Sequence, residues 1–181
     1  MKLPLLPLLL LATAPAALAA PLPIDLAKSQ LAFVSKQMNV PVEGTFRKFT
    51  VQLDFDARKP EAAKAKLDIE MGSVDAGSAE ANAEVIRKAW FNTAQFPQAG
   101  FVSTALKPLG GNRYELSGQM TIKGKTLPLS APVTVKPAGT GQSFEGTFVL
   151  KRLDYGIGDG PWNDPDTVAN EVQVRFKLVT K

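Results

Sequence analysis

Stretch after stretch of this chain alternates apolar with polar residues, and the apolar phase carries almost no charge. In Val51-Gln52-Leu53-Asp54-Phe55-Asp56, Val, Leu and Phe fall on one side of an extended backbone, and Gln, Asp and Asp on the other. Successive side chains of a strand point to opposite faces, so such a segment buries one face and wets the other. The pattern returns in Leu67/Ile69/Met71, Tyr114/Leu116/Gly118/Met120/Ile122, Leu127/Leu129/Ala131/Val133/Val135, Phe144/Gly146/Phe148/Leu150 and Val172/Val174/Phe176/Leu178. About eight strands separated by turn signals predict an all-β antiparallel sandwich or barrel around an apolar interior. At that size a barrel is either filled by side chains or holds one small ligand.

The organisation follows from where the alternation starts, slips and stops. Ile24 to Lys36 reads as a first strand, with Leu31, Phe33 and Ser35 in one phase, and Val40 to Phe46 as a second. The phase slips at Arg47-Lys48 before resuming at Phe49, Val51, Leu53 and Phe55, which predicts a bulge or corner that curves the sheet. Lys123-Gly124 separates two alternating runs and predicts a tight hairpin. Ser78 to Phe91 breaks the pattern: its alanines, Glu84 and Val85 favour helix, and Val85 and Ala89 fall at helical spacing. This is the one helix expected. Tyr155 to Asp166, rich in Gly, Pro and Asp, is expected to form a structured loop.

The N-terminus carries a different signal. Met1-Lys2 is positively charged, Leu3 to Leu11 is apolar apart from two prolines, and Ala17-Leu18-Ala19 supplies a small-x-small cleavage pattern. The apolar run is shorter than the roughly 20 residues a bilayer span requires. A signal peptide over residues 1–19, cleaved after Ala19, is expected, with residues 20–181 forming a single exported domain. Removing 19 residues from 181 leaves 162, enough for one substantial core. The net charge of +4 includes Lys2, and the remaining excess is scattered among acids. No basic stripe of the kind nucleic acid requires is present.

The chain has neither Cys nor His. These absences remove disulfides, thiol nucleophiles, Ser-His-Asp triads and the usual zinc, copper and haem ligands. Only carboxylates remain for catalysis. Asp54 and Asp56 share the wet face of a strand, and Asp154, Asp159, Asp164 and Asp166 lie in or beside one loop without the spacing of a calcium-binding EF-hand. Gly156, Gly158 and Gly160 lack the strand-to-helix context of a dinucleotide fingerprint. No enzymatic activity, metal or cofactor is expected. A carboxylate-dependent hydrolase is the weakest of the readings kept.

Several segments, in order along the chain, resemble the YceI family of lipocalin-like bacterial periplasmic proteins. They are Ile24-Asp25 through Phe33, Val42-Glu-Gly-Thr-Phe46-Arg-Lys-Phe49, Val51 to Asp56, and Trp90-Phe91 with Phe96-Pro97 and Phe101-Val-Ser103. Leu116 to Gly124 and Lys151-Arg-Leu-Asp-Tyr-Gly-Ile-Gly158 running to Trp162 complete the set. The resemblance implies a lipocalin-like closed antiparallel barrel of about eight strands, with one short helix and a Gly/Asp-rich loop. It further implies periplasmic location and an elongated apolar cavity that binds polyisoprenoid or other long-chain lipids. Two positions depart from the pattern: Lys28 and Gln37 stand where members commonly carry His.

On this reading the inward phase nominates Phe33, Val51, Leu53, Leu67, Ile69, Phe101, Leu116, Met120, Leu129, Phe148 and Phe176 as cavity lining. The same residues would pack the centre of a ligand-free structural or stress-related barrel, which is the alternative. Trp90 and Phe91, at the end of the helix, and Trp162, in the loop, are candidates to close a mouth. Arg152 continues the inward phase of Phe148 and Leu150, and its fork of donors suits a headgroup phosphate or carbonyl. A salt bridge with Asp154 or bonds to loop carbonyls are its plainer uses. Strands of roughly nine residues, tilted, make a barrel of about 23 Å, so an extended prenyl tail of roughly eight units, about 40 Å long, must bend or protrude. Polyprenyl phosphates, isoprenoid quinones, fatty acids and fatty amides all present such tails. Transient membrane-surface contact and a homodimer through an exposed strand or the helix face are compatible with the sequence.

Overall fold

The computed structural model describes residues 21–181, so the leader expected over residues 1–19 lies outside the described residues. The strands are β1 (Gln30–Gln37), β2 (Val40–Phe46), β3 (Phe49–Asp54), β4 (Lys64–Glu70), β5 (Val74–Asp75), β6 (Gln98–Gly110), β7 (Arg113–Ile122), β8 (Lys125–Ala138), β9 (Gly141–Lys151) and β10 (Glu171–Val179). They form one 10-stranded antiparallel sheet in the order β3-β4-β6-β7-β8-β9-β10-β1-β2-β5. One α-helix, α1 (Ala79–Val85), is present among the described residues.

The expected all-β antiparallel architecture is present as a curled sheet, and breaks at Arg47-Lys48 and at Met71–Ser73 divide it into more strands than the eight or so expected. The sheet has ten strands and two ends, with β3 outermost on one side and the two-residue β5 on the other. The reason lies at the phase slip. β2 and β3 are separated only by Arg47 and Lys48, yet they stand at opposite ends of the strand order. The sheet must therefore curl until those ends meet, and they meet at a corner rather than in a ladder. The corner is held by Arg47 N–H donating to the Ser73 carbonyl (3.1 Å) and Glu70 N–H donating to the Lys48 carbonyl (3.0 Å). The Lys48 N–H donates to Ser73 Oγ (3.0 Å).

Local chemistry sets the other elements. Ser78 caps α1 by accepting the Ala81 N–H at 3.1 Å, and the helix ends at Val85, well short of the expected Phe91. The chain continues in turns, with the Trp90 N–H donating to the Arg87 carbonyl at 3.0 Å. The first strand begins at Gln30 rather than Ile24, because Leu26–Lys28 form a 3-10 turn. Lys123 (φ 49) and Gly124 (φ 75) both lie in the left-handed region, as a two-residue hairpin of matching twist requires.

Between β8 and β9 the sheet splays. The two pair only from Val133–Gly146 to Ala138–Gly141, although β8 pairs with β7 along its whole first half. Pro128 and Pro132 sit in that unpaired part of β8 and lack the N–H a second ladder would use. The Gly-rich loop is anchored beside the splay. Lys123 Nζ donates to the Gly156 carbonyl (2.5 Å) and Lys125 Nζ to the Asp154 carbonyl (3.1 Å).

The interior divides into two apolar clusters. One is built from Leu53, Phe55, Leu106, Tyr114, Val133, Val135 and Phe144. The other contains Leu31, Ile69, Met71, Phe101, Met120, Ile122, Leu150, Tyr155 and Ile157, with many half-buried apolar residues packed against it. Residues that are half-buried although they face inward are the mark of a centre that is not full.

Candidate functional site: an apolar cavity

The second cluster surrounds a cavity of about 440 Å³, within the range of small-molecule sites. Its wall is almost wholly apolar. Leu31 and Phe33 come from β1, Val42 and Phe46 from β2, Phe49 and Val51 from β3, and Leu67 and Ile69 from β4. Phe101, Leu116, Met120, Leu129, Phe148, Val174 and Phe176 complete the sheet side, while α1 contributes Glu80, Ala81, Glu84 and Val85.

The expected lining residues Phe33, Val51, Leu67, Ile69, Phe101, Leu116, Met120, Leu129, Phe148 and Phe176 all border this space, as do Trp90, Phe91 and Trp162. Leu53 does not. It is 6% exposed and belongs to the solid cluster, because β3 carries it two residues beyond Val51 toward the filled end. Residues not anticipated include Leu31, Phe49 and Val174, although each shares strand phase with an expected neighbour. Glu80, Ala81, Glu84 and Val85 were also legible, since that spacing marks one helical face.

Phenylalanine rings next to glycine keep the space open. Phe33 pairs across the strands with Gly44, and Phe176 with Gly146; Phe101 lies diagonally across from Gly118. A Cβ on any of these glycines would overlap the ring beside it. Each ring therefore lies along the sheet, over a backbone with no side chain, rather than standing into the interior.

Trp90, Phe91 and Trp162 come together at the loop side of the cavity. The Trp90 and Trp162 rings are 5.5 Å apart at 50°, and Phe91 meets Phe46 at 6.3 Å. The Ala89 carbonyl accepts from Gly158 N–H (2.9 Å) and Asp159 N–H (2.8 Å), fastening the post-helix turn to the Gly-rich loop. The Trp90 indole Nε1 is buried and has no acceptor among the described residues.

Arg152 takes the plainer of the uses expected for it, bonds to loop carbonyls, and not the headgroup role. It borders the cavity but is only 2% exposed, and every donor of its guanidinium is engaged. Nε donates to Ala169 O (3.1 Å), Nη1 to Ile157 O (2.8 Å) and Gly158 O (3.0 Å), and Nη2 to Trp162 O (2.7 Å) and Val168 O (2.6 Å). A guanidinium has five N–H groups, so none is left for a phosphate. Burial lowers its pKa, and the carbonyl dipoles around it take the place of a counter-ion. The side chain is a clamp on the loop. Gly158 (φ 77) is required there, since a Cβ would overlap Arg152 Nη1.

The aspartates singled out in the sequence lie outside the cavity wall. Asp56 is paired with Arg58 at 2.9 Å, and Asp164 accepts from Thr167 Oγ1 at 2.8 Å within its own loop. Among the described residues no group of three or more His, Cys, Asp or Glu is placed to hold a metal ion.

Comparison with known proteins places this geometry. A model of the YceI-like domain matches residues 23–180. The UPF0312 protein of Pseudomonas syringae pv. syringae is 33% identical over 127 residues, 66% of this chain and 66% of that protein. Its counterpart in Azotobacter vinelandii is 34% identical over 122 residues, 63% of this chain and 62% of that protein. The chain thus spans just under two thirds of the length of these curated relatives. Among solved structures, Burkholderia cenocepacia BcnA superposes with a TM-score of 0.85 at 46% identity, covering 87% of this chain and 99% of that one. A polyisoprenoid binding domain from Saccharophagus degradans, implicated in plant cell wall breakdown, has the same fold (TM-score 0.71, 18% identity, 90% and 99% covered).

Proposed function

Since the chain belongs to the YceI-like domain family, we propose that it is a periplasmic carrier that holds a long-chain isoprenoid or related lipid in the apolar cavity. The observation that carries this reading is the hollow itself, walled by the rings of Phe33, Phe101, Phe148 and Phe176 and by aliphatic side chains. Such a wall offers a hydrocarbon tail about 0.8 kcal/mol for each CH₂ removed from water, less the cost of ordering the tail. The polyisoprenoid-binding description of the Saccharophagus degradans domain supports the same ligand class. The leader pattern at residues 1–19 supports export. The role is binding rather than catalysis, since the wall is almost wholly apolar and its two carboxylates, Glu80 and Glu84, stand together on one helix, with Glu84 paired to Arg87. Transient contact with a membrane surface would supply the ligand, and two copies could pair through an exposed strand or the helix face.

Extraction of the purified protein with organic solvent, followed by mass spectrometry, tests the proposal. The expected result is one long-chain lipid in near-stoichiometric amount. No lipid, together with no uptake on incubation with prenols, overturns it in favour of a ligand-free structural barrel.

A further inference from the structure

We infer that the cavity takes a ligand whose head is uncharged and carries an oxygen acceptor, and that the indole N–H of Trp90 is the donor that receives it. The inference rests on the carrier reading and names the head chemistry of that same site.

The ionisable side chains bordering the cavity are Lys66, Glu80, Glu84 and Arg152. Lys66 is paired with Asp68 at 2.8 Å, and the Arg152 donors are spent on backbone carbonyls. No cation is left to hold a phosphate or carboxylate. Glu80 and Glu84 stand one helical turn apart on the face of α1 that borders the space, and Glu84 is partnered by Arg87 at 3.1 Å. An anionic head would lose its hydration, gain no counter-charge and meet carboxylates.

The opposite charge is disfavoured for another reason. Trp90 Nε1 is buried without an acceptor, and an indole can only donate. Buried polar groups nearly always have a partner. The ring is not free to seek one by turning. It packs on Trp162 at 5.5 Å, has the Arg152 guanidinium carbon 5.8 Å from its centre, and hangs from a backbone fastened to the Gly-rich loop. An ammonium head, which has donors only, cannot satisfy it. A hydroxyl, quinone carbonyl, ester or amide oxygen can. Ser35 and Gln37 also border the cavity, but Ser35 is half-buried and Gln37 exposed, so neither needs a ligand to meet its polar groups.

The test uses the full exported chain, delipidated, with geranylgeraniol, geranylgeranyl monophosphate, geranylgeranylamine and the methyl-terminated hydrocarbon of the same tail, each read by displacement of a hydrophobic dye. The alcohol is expected to bind tightest and the monophosphate roughly tenfold or more weaker. Trp90→Phe is expected to cut the preference for alcohol over hydrocarbon by about fivefold, the worth of one neutral hydrogen bond, a ratio in which any change common to both tails cancels. In the native chain, the Trp90 indole N–H resonance, assigned with Trp162→Phe, should move on adding the alcohol and stay with the hydrocarbon. That readout does not depend on how the Trp90 variant folds. Equal affinity for alcohol and monophosphate, tighter binding of the amine, or an unmoved indole resonance overturns this inference alone. Binding of none of the four overturns the carrier reading and this inference with it.

Discussion

At one end of the interior Phe55 stands edge-on to Tyr114 (5.7 Å, 88°) and to Phe144 (5.2 Å, 86°); at the other, Phe33, Phe101 and Phe176 lie over glycines. The strands are largely the same ones, and on β7, β8, β9 and β10 the apolar phase runs from one end to the other. What differs is the residue across the ladder. Tyr114 faces Val133 and Phe144 faces Val135, so those rings are pushed up into the centre, where they interlock. Phe33 and Phe176 face Gly44 and Gly146, so their rings settle onto the sheet and leave the middle open. Filled and hollow ends can therefore come from one alternating pattern, decided by what stands opposite each aromatic.

Removing a ring should separate the two ends most clearly. Phe144→Ala takes out the centre of an interlocked set that is 5% exposed, and is expected to cost about 4 kcal/mol. Thermal unfolding should fall by about 10 °C for a chain of this size, with lipid uptake per folded molecule unchanged. Loss of uptake without loss of stability would show that the filled end is part of the binding site. Next in size is Arg152→Lys, which retains the charge but replaces a planar five-donor fork with three donors. Several loop carbonyls lose their partner, so a cost of about 3 kcal/mol is expected, with faster protease cleavage between residues 155 and 166 than in the parent chain. Cleavage at the parent rate would mean that the loop does not depend on its clamp.

Gly146→Ala probes the hollow end directly. The new Cβ collides with the Phe176 ring and lifts it toward the cavity. Overpacking of this kind costs about 2 kcal/mol, and here it should also lower prenol uptake. A stability loss with normal uptake would mean that the ring moved along the sheet instead, and that glycine is not what keeps the middle open.

Much of this was legible in the residues. Strict alternation located β2, β7 and β10 almost to the residue, because a strand with one wet face has only one acceptable phase. The slip at Arg47-Lys48 announced the corner. The strand count and order were not legible, since order is set by pairings between distant segments, and the two-residue β5 is too short to show a period at all. The cavity wall was readable because facing inward is a local property. Leu53 was misplaced because position along a strand, toward the filled or the hollow end, depends on register with neighbours. That Arg152 bonds loop carbonyls was among its expected uses, but which carbonyls was not legible for a similar reason. The carbonyls that engage it, from Ile157 to Ala169, belong to a loop whose path no periodicity describes. Two signals were present and unused: the pairing of Phe with Gly across strands, and Pro128 and Pro132 marking where β9 departs.

The finest test compares two rings on one strand. Phe144 and Phe148 lie on the same face of β9, four positions apart, and both are truncated to Ala with the same loss of atoms. Phe148 is only half-buried and borders the cavity, with the Phe176 ring 6.5 Å away. A side chain that already faces a void has contacts on one side only, so its removal forfeits less dispersion energy. Phe148→Ala is expected to cost about 1 kcal/mol, far below the value for Phe144, because it enlarges an existing space instead of creating one. Its effect should appear in binding: weaker retention of a slender prenyl tail, through lost contacts, alongside easier entry for a bulkier one. Equal destabilisation by the two truncations, measured by urea unfolding with unchanged m-values, would mean that the ring at Phe148 is packed on all sides. The hollow would then be no larger than the gaps of an ordinary core.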